Sequence, residues 1–209
     1  AAIEVNGDEK IETMDSIVIS TLPVTQIAQL AQIGTSLYFR SILLINLIIK
    51  GPDIFPKEYD WLYFDDSDIP FHRAGMQTRF SRKGIPDNHQ VMCCEIVFQD
   101  SLTDKEIGVL TARTIEHVIA FGFVKQDSIV DAIPMNIGPV YPGYFNGYEA
   151  EYSRVSGLLG ALENVYTLGS LAEYSYADLQ ILTAKAIDLA AELSTINNSV
   201  NSEMLRTAR

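Results

Sequence analysis

The chain has 209 residues, of which 47% are hydrophobic and 20% charged, with a mean hydropathy of +0.10. This composition excludes an intrinsically disordered chain and suffices for one domain with a sizeable core or for two small lobes. Lys plus Arg number 15 against 27 Asp plus Glu, a formal net charge of −12, which excludes a general electrostatic attraction to nucleic acid or anionic lipid.

Two short strand signals, residues 2–5 and 10–14, flank Asn6-Gly7-Asp8, a hairpin-turn sequence. Asp15 to Thr21 is a short β-branched run leading into Leu22-Pro23. It reads as a buried parallel-type strand that leaves its sheet at the proline. Residues 24–32 read as a short helix closed by Gly34. Residues 37–49 carry a long strand signal, and 60–64, 71–77 and 90–98 carry three more, separated by turns rich in Gly, Pro and Asp. Together they predict an antiparallel sheet of four or more strands.

Thr103-Asp104-Lys105-Glu106 is a capping box, in which the Thr hydroxyl bonds the N3 amide and Glu106 reaches back. The helix it starts runs to about Phe121, with Ile107, Leu110, Thr114 and Val118 on one face. Residues 128–137 read as a strand ending at Pro139, and 147–162 as a helix. Residues 164–169 form a short buried strand running into Gly169. Ser175 or Asp178 then caps a helix carrying Leu179, Leu182, Ala186, Leu189, Ala190 and Leu193 at helical spacing. Beyond Ile196 the chain is polar, and a frayed end is expected.

The two cysteines, Cys93 and Cys94, are adjacent in an extended run, so their side chains point to opposite faces and do not bridge. The histidines, His72, His89 and His117, are scattered and complete no zinc pattern. No basic segment followed by an apolar one opens the chain, and the longest apolar run, 42–49, is far short of the ~20 residues of a membrane span. The reading is a cytoplasmic chain with reduced thiols and neither a nucleic-acid nor a membrane partner.

Four places are able to carry chemistry. The strand–Gly–loop–helix stretch at 164–193 lets backbone approach a ligand and presents helix amides to an anion, although an ordinary βα turn has the same signature. In Trp61-Leu62-Tyr63-Phe64, Trp61 and Tyr63 share a strand face, and Arg73 follows Pro70-Phe71-His72. Such a set stacks a base and holds a phosphate, or else is a core aromatic pair beside a surface Arg. Arg79, Arg82 and Lys83 form the only basic cluster and read as a solvated loop. Tyr141-Pro142-Gly143-Tyr144 is either a pocket wall or a rigid turn. No G-x-S-x-G, H-E-x-x-H or P-loop is present, and no G-x-G-x-x-G follows a strand.

With these residues in this order, the chain resembles the carboxyl-terminal part of the UDP-galactopyranose mutase and flavin amine oxidase superfamily. Asp15 to Pro23 resembles the family's strand that runs up to the flavin. Trp61-Leu62-Tyr63-Phe64 with Ile69-Pro70-Phe71-His72-Arg73 resembles its W-x-Y-F … P-F-Y-R stretch, and Arg79-Phe80-Ser81 follows. Tyr141-Pro142 before a helix resembles its Y-P segment, and 164–180 resembles N-L-Y-x-x-G-R-x-G-x-x-R-Y-Y-N-M-D, which closes over the cofactor.

The resemblance implies an α+β (mixed α/β) protein. Residues 1–34 and 141–197 would be pieces of a Rossmann-like FAD-binding domain, 35–140 an antiparallel substrate domain, and 198–209 a frayed tail. It implies that Gly169, Ser170, Asp178 and Leu179 lie near FAD. It also implies that Trp61, Tyr63, Arg73, Tyr141 and Tyr176 line a nucleotide-sugar site, with Arg73 and the tyrosines facing a diphosphate. In the mutases the reduced flavin attacks the sugar, so no protein nucleophile is required. Ser170 and Ser175 stand where the family has arginines, Asp178-Leu179-Gln180 replaces N-M-D, and the dinucleotide-binding βαβ unit has no counterpart. The chain is therefore expected to be a fragment of an FAD-dependent mutase or oxidoreductase that needs an amino-terminal FAD-binding portion and is inactive alone. The other reading is a non-catalytic remnant that binds a sugar nucleotide or a protein.

Overall fold

A computed structural model describes the backbone of residues 2–5, 9–12 and 16–207, and the side chains of 4, 10–11 and 16–195. In chain order the elements are β1 (Ala2–Val5), β2 (Glu9–Glu12), β3 (Val18–Ser20), α1 (Val24–Leu30), β4 (Phe39–Lys50), β5 (Trp61–Tyr63), β6 (Arg73–Met76), β7 (His89–Phe98), α2 (Asp104–Ala120), β8 (Ile129–Pro142), α3 (Tyr148–Gly160), β9 (Val165–Thr167) and α4 (Leu179–Thr207). The protein is mixed α/β with an antiparallel sheet, and it divides into two compact units, residues 39–141 and residues 1–38 with 142–209.

The first unit is built on a five-stranded sheet of order β5-β6-β7-β4-β8. Its pairs β5/β6, β6/β7 and β7/β4 are antiparallel. Side chains alternate faces along a strand, and this alternation makes the core. Leu43, Ile45, Leu47 and Ile49 of β4, Met92, Cys94 and Ile96 of β7, and Ala74 and Met76 of β6 all point one way and are buried. Helix α2 covers that face with Val118 and Thr114. Phe55, Phe71 and Phe123 close the core, with Phe55 and Phe123 edge to face at 5.0 Å. The two thiols obey the same alternation: Cys94 is buried in the core, Cys93 lies on the opposite face, and both are free.

The capping box of α2 forms as the spacing requires. Thr103 Oγ1 accepts from the Glu106 amide at 3.3 Å, and the Thr103 amide donates to Glu106 Oε2 at 2.8 Å. Thr103→Ala is expected to cost about 1 kcal/mol. An unchanged urea midpoint in that variant would show that the box contributes nothing.

Strand β8 corrects the expected end at Pro139. It runs on to Pro142, past a cis Gly138–Pro139 bond. A proline donates no ladder hydrogen bond and is tolerated at a sheet edge, and β8 is an edge strand.

In the basic cluster at 79–83, Arg82 and Lys83 are exposed as expected of a solvated loop, but Arg79 is not. Arg79 donates from Nε to Asp53 Oδ2 at 2.6 Å. It donates from Nη1 to the carbonyls of Pro56 at 2.9 Å and Tyr59 at 2.6 Å, and from Nη2 to Phe55 O at 2.8 Å. Its guanidinium lies 5.3 Å from the Phe55 ring centroid. Arg82 donates to Gln90 and to the His89 carbonyl. Arg79 holds the 53–59 loop because a planar multi-donor group can satisfy a carboxylate and several carbonyls together.

In the second unit, β1 and β2 pair antiparallel, and the Asn6-Gly7-Asp8 turn lies outside the described residues. Strands β3 and β9 pair in parallel, Val18 with Val165 through Ser20 with Thr167. The parallel geometry expected for 15–21 is present, but the burial is not, since Ile17 and Ile19 are nearly half exposed. Two strands alone do not cover each other's faces.

Helix α1 ends at Leu30 with Ala31 as its C-cap and Gln32, not Gly34, in the left-handed conformation (φ 58°), and the Ile33 amide closes on Ala28 O at 2.7 Å. Helix α4 continues to Thr207 instead of fraying after Ile196, since no Gly or Pro interrupts 179–207. Leu182, Ala186, Leu189 and Leu193 form its half-buried stripe, whereas Leu179 and Ile187 face solvent.

Candidate functional site

The face of the five-stranded sheet opposite α2 collects the chemistry. Register sets it out in two rows across the strands. Tyr63 pairs with Arg73, Arg73 with Glu95, and Glu95 with Leu44. In the next row Trp61 pairs with Gly75, Gly75 with Cys93, and Cys93 with Asn46. Directly opposed side chains on one face stand within contact distance, so the expected substrate residues Trp61, Tyr63 and Arg73 come from two segments onto one surface.

Glu95 is the hub. It is only 4% exposed. Its Oε1 accepts from Tyr141 Oη at 2.8 Å and from His72 Nε2 at 3.2 Å, while Oε2 accepts from Arg73 Nη2. Burial alone would push this carboxyl up, but the hydrogen bonds from His72, Tyr141 and Arg73 outweigh it and bring the pKa down to about 2. Glu95 is therefore an anion at any physiological pH and matches the charge of Arg73. For Arg73, burial works against the cation, yet hydrogen bonds with Glu95 and Tyr63 raise its pKa above the ordinary value. The second orienting tyrosine, Tyr141, reaches the hub from β8, 46 residues further along the chain.

Beside the hub lies an open concavity of about 210 Å³. Gly75 forms its floor, where a Cβ would come within 2.8 Å of the Asp60 carbonyl and 3.1 Å of the Trp61 Cβ. Trp61 and Phe80 stack with ring centroids 5.8 Å apart. Cys93 lines the concavity as an inert thiol, since burial and then the neighbouring Glu95 charge push its pKa up to about 11.

The remaining expected residues belong to the other unit. Strand β9 runs into Gly169, whose φ of +110° is one that L side chains rarely adopt and beside which a Cβ would meet nothing within 4 Å. The following loop is closed by Glu173 N–H to Gly169 O and Ser175 N–H to Ser170 O, both at 2.8 Å. Tyr174 Oη reaches both Tyr38 O at 2.9 Å and Gly143 O at 2.8 Å. The Tyr176 amide donates to Tyr144 Oη at 3.1 Å, and the Tyr176 side chain is 74% exposed. Asp178 O accepts from the amides of Ile181 and Leu182 at the start of α4, and Leu179 is 78% exposed. Gly169, Ser170, Asp178 and Leu179 thus lie on one loop–helix segment.

Among the described residues no group of three or more His, Cys, Asp or Glu is placed to hold a metal ion, and no helix is long and apolar enough to cross a membrane. Sequence reasoning missed Glu95, Phe80 and Gln77 as parts of the site. A sequence signal existed for Glu95. It is the one charge inside the apolar run 91–98, and an interior charge requires partners.

No protein-family model and no curated protein matches the sequence. Solved structures do match the fold. The chain is similar to a reduced UDP-galactopyranose mutase with a TM-score of 0.68 at 19% identity, over 84% of this chain and 39% of that one. It is also similar to a protein described as a protoporphyrinogen oxidase from Exiguobacterium sp. 255-15, with a TM-score of 0.60 at 16% identity, over 90% of this chain and 46% of that one. The chain therefore spans less than half the length of either protein, and at these identities the likeness is one of fold. It agrees with the resemblance carried by the sequence motifs.

Proposed function

We propose that this chain is the substrate-facing portion of an FAD-dependent enzyme of the UDP-galactopyranose mutase and amine oxidase type, acting on a nucleotide sugar. The observation that carries the reading is the convergence of Trp61, Tyr63, Arg73 and Tyr141 on the open sheet face around Glu95. The fold likeness to a mutase and an oxidase supports it.

In this reading Trp61 supplies a flat apolar surface, and Arg73 donates to the ligand from the N–H groups it does not give to Glu95 and Tyr63. Tyr63 and Glu95 hold that guanidinium in place, and Tyr141 borders the site. FAD, when bound, supplies the electron chemistry. The loop before α4 fits part of such a group. Gly169 has open space beside its backbone, and the buried Ser175 Oγ has no hydrogen-bond partner. Gly169, Ser170, Asp178 and Leu179 would hold the cofactor there, together with a longer parent chain.

Titration calorimetry with UDP-galactose tests the ligand side. A charge-assisted hydrogen bond is worth roughly 1.5–3 kcal/mol, so Arg73→Ala is expected to weaken binding by roughly 10- to 150-fold. Arg73→Lys recovers only part of this, because the fork is lost. Unchanged affinity in Arg73→Ala, with the fold intact by thermal melt, would remove the nucleotide-sugar reading.

A further inference from the structure

The resemblance assigned Arg73 to a diphosphate, but the charge at Arg73 is already matched. Glu95 accepts from Arg73 with one oxygen, and its other oxygen is taken by Tyr141 and His72. The Arg73–Glu95 pair is neutral as a unit, and the chain as a whole carries −12. A dianion entering against Arg73 would also meet the repulsion of the Glu95 carboxylate bonded to that guanidinium.

The concavity next to this pair has the features an uncharged ring requires. At about 210 Å³ it is smaller than the ~300–1,000 Å³ of a site that holds a whole ligand, and it is the size for one ring. Its wall is the Trp61–Phe80 stack, each ring about half exposed. Gly75 lines it too, and having no Cβ lets the Asp60 carbonyl and Trp61 Cβ sit close against β6. The exposed Gln77 amide at the rim adds both a donor and an acceptor, which suit hydroxyl and carbonyl groups.

We propose that this concavity is the subsite for an uncharged ring of the nucleotide sugar, with Glu95 as the specificity-determining residue that keeps phosphate out of it. The inference rests on the reading of the open face as a substrate site and adds which part of the ligand sits here. Two rings share the required chemistry, the hexose and the nucleobase.

Trp61 is the chain's only tryptophan, so its fluorescence reports on this concavity alone. The chain is titrated separately with uridine, methyl galactopyranoside and inorganic pyrophosphate. The expected result is that one of the two neutral probes changes Trp61 emission, identifying the ring, at concentrations where pyrophosphate does not. In Glu95→Gln, pyrophosphate binding is expected to strengthen at least tenfold relative to the neutral probe. Should Glu95→Gln not fold, Phe80→Ala, at an exposed position, is expected to weaken the neutral probe roughly tenfold and leave pyrophosphate unaffected. Pyrophosphate binding more tightly than both neutral probes in the native chain would overturn the proposal while leaving the nucleotide-sugar reading intact. Calorimetric binding of UDP-galactose without any response of Trp61 to the neutral probes would overturn it too, and absence of all binding would end both readings.

Discussion

Replacing Arg79 with alanine is expected to cost the sheet unit roughly 2–4 kcal/mol, far more than an ordinary surface arginine. The side chain is 18% exposed and its partner Asp53 24%. One guanidinium satisfies the Asp53 carboxylate and the carbonyls of Phe55, Pro56 and Tyr59, while Asp53 Oδ1 itself accepts from the Phe55 amide at 3.0 Å. Truncation leaves a half-buried carboxylate and three inward-turned carbonyls without their donor, and unmet groups of this kind carry most of the cost. Lysine restores the charge but not the planar fork, so Arg79→Lys is expected to recover less than half. Urea unfolding followed by Trp61 fluorescence measures both variants within this unit. A loss below ~0.5 kcal/mol for Arg79→Ala would return the residue to the solvated-loop reading.

The second large effect is a pH dependence. Glu95 has a folded-state pKa of about 2 against an ordinary 4.5. Stabilisation by a depressed carboxyl is fully present above the unfolded value and is lost as pH falls through the folded one. At ~1.4 kcal/mol per pH unit, Glu95 contributes roughly 3 kcal/mol near neutrality, lost progressively from about pH 5 to pH 2. Solvent screening trims this, since Arg73 and His72 are each 37% exposed in their side chains.

Glu151 of the other unit is also held at about 2, by Arg154 first and then by Ser36 and Thr35. The comparison that isolates Glu95 is therefore native chain against Glu95→Gln, read at Trp61. The stability gap between them is expected to be widest at pH 6–7 and to close by pH 2. A gap that does not change with pH would show that the carboxylate charge stabilises nothing.

These two residues mark the division between what was legible in the sequence and what was not. Local period and local chemistry determined the strands of the sheet unit, the opposite orientation of Cys93 and Cys94, and the start of α2 at Thr103. Each rests on residues within a few positions of one another, where alternation and capping act. The motif order also carried the fold likeness now seen with a mutase and an oxidase.

The tertiary structure alone decided how charges pair. Arg73 finds Glu95 across 22 residues and Tyr141 finds it across 46, because β6, β7 and β8 come together in one sheet. Arg79 finds Asp53 across 26 residues. The same sheet made β8 an edge strand able to continue through Pro139, and the shortness of the β3–β9 pair left Ile19 half exposed. A charge or a proline in sequence states only what it needs. Whether a partner, a free edge or a covering layer meets that need depends on strand register, and register is set by long-range pairing that no local pattern contains.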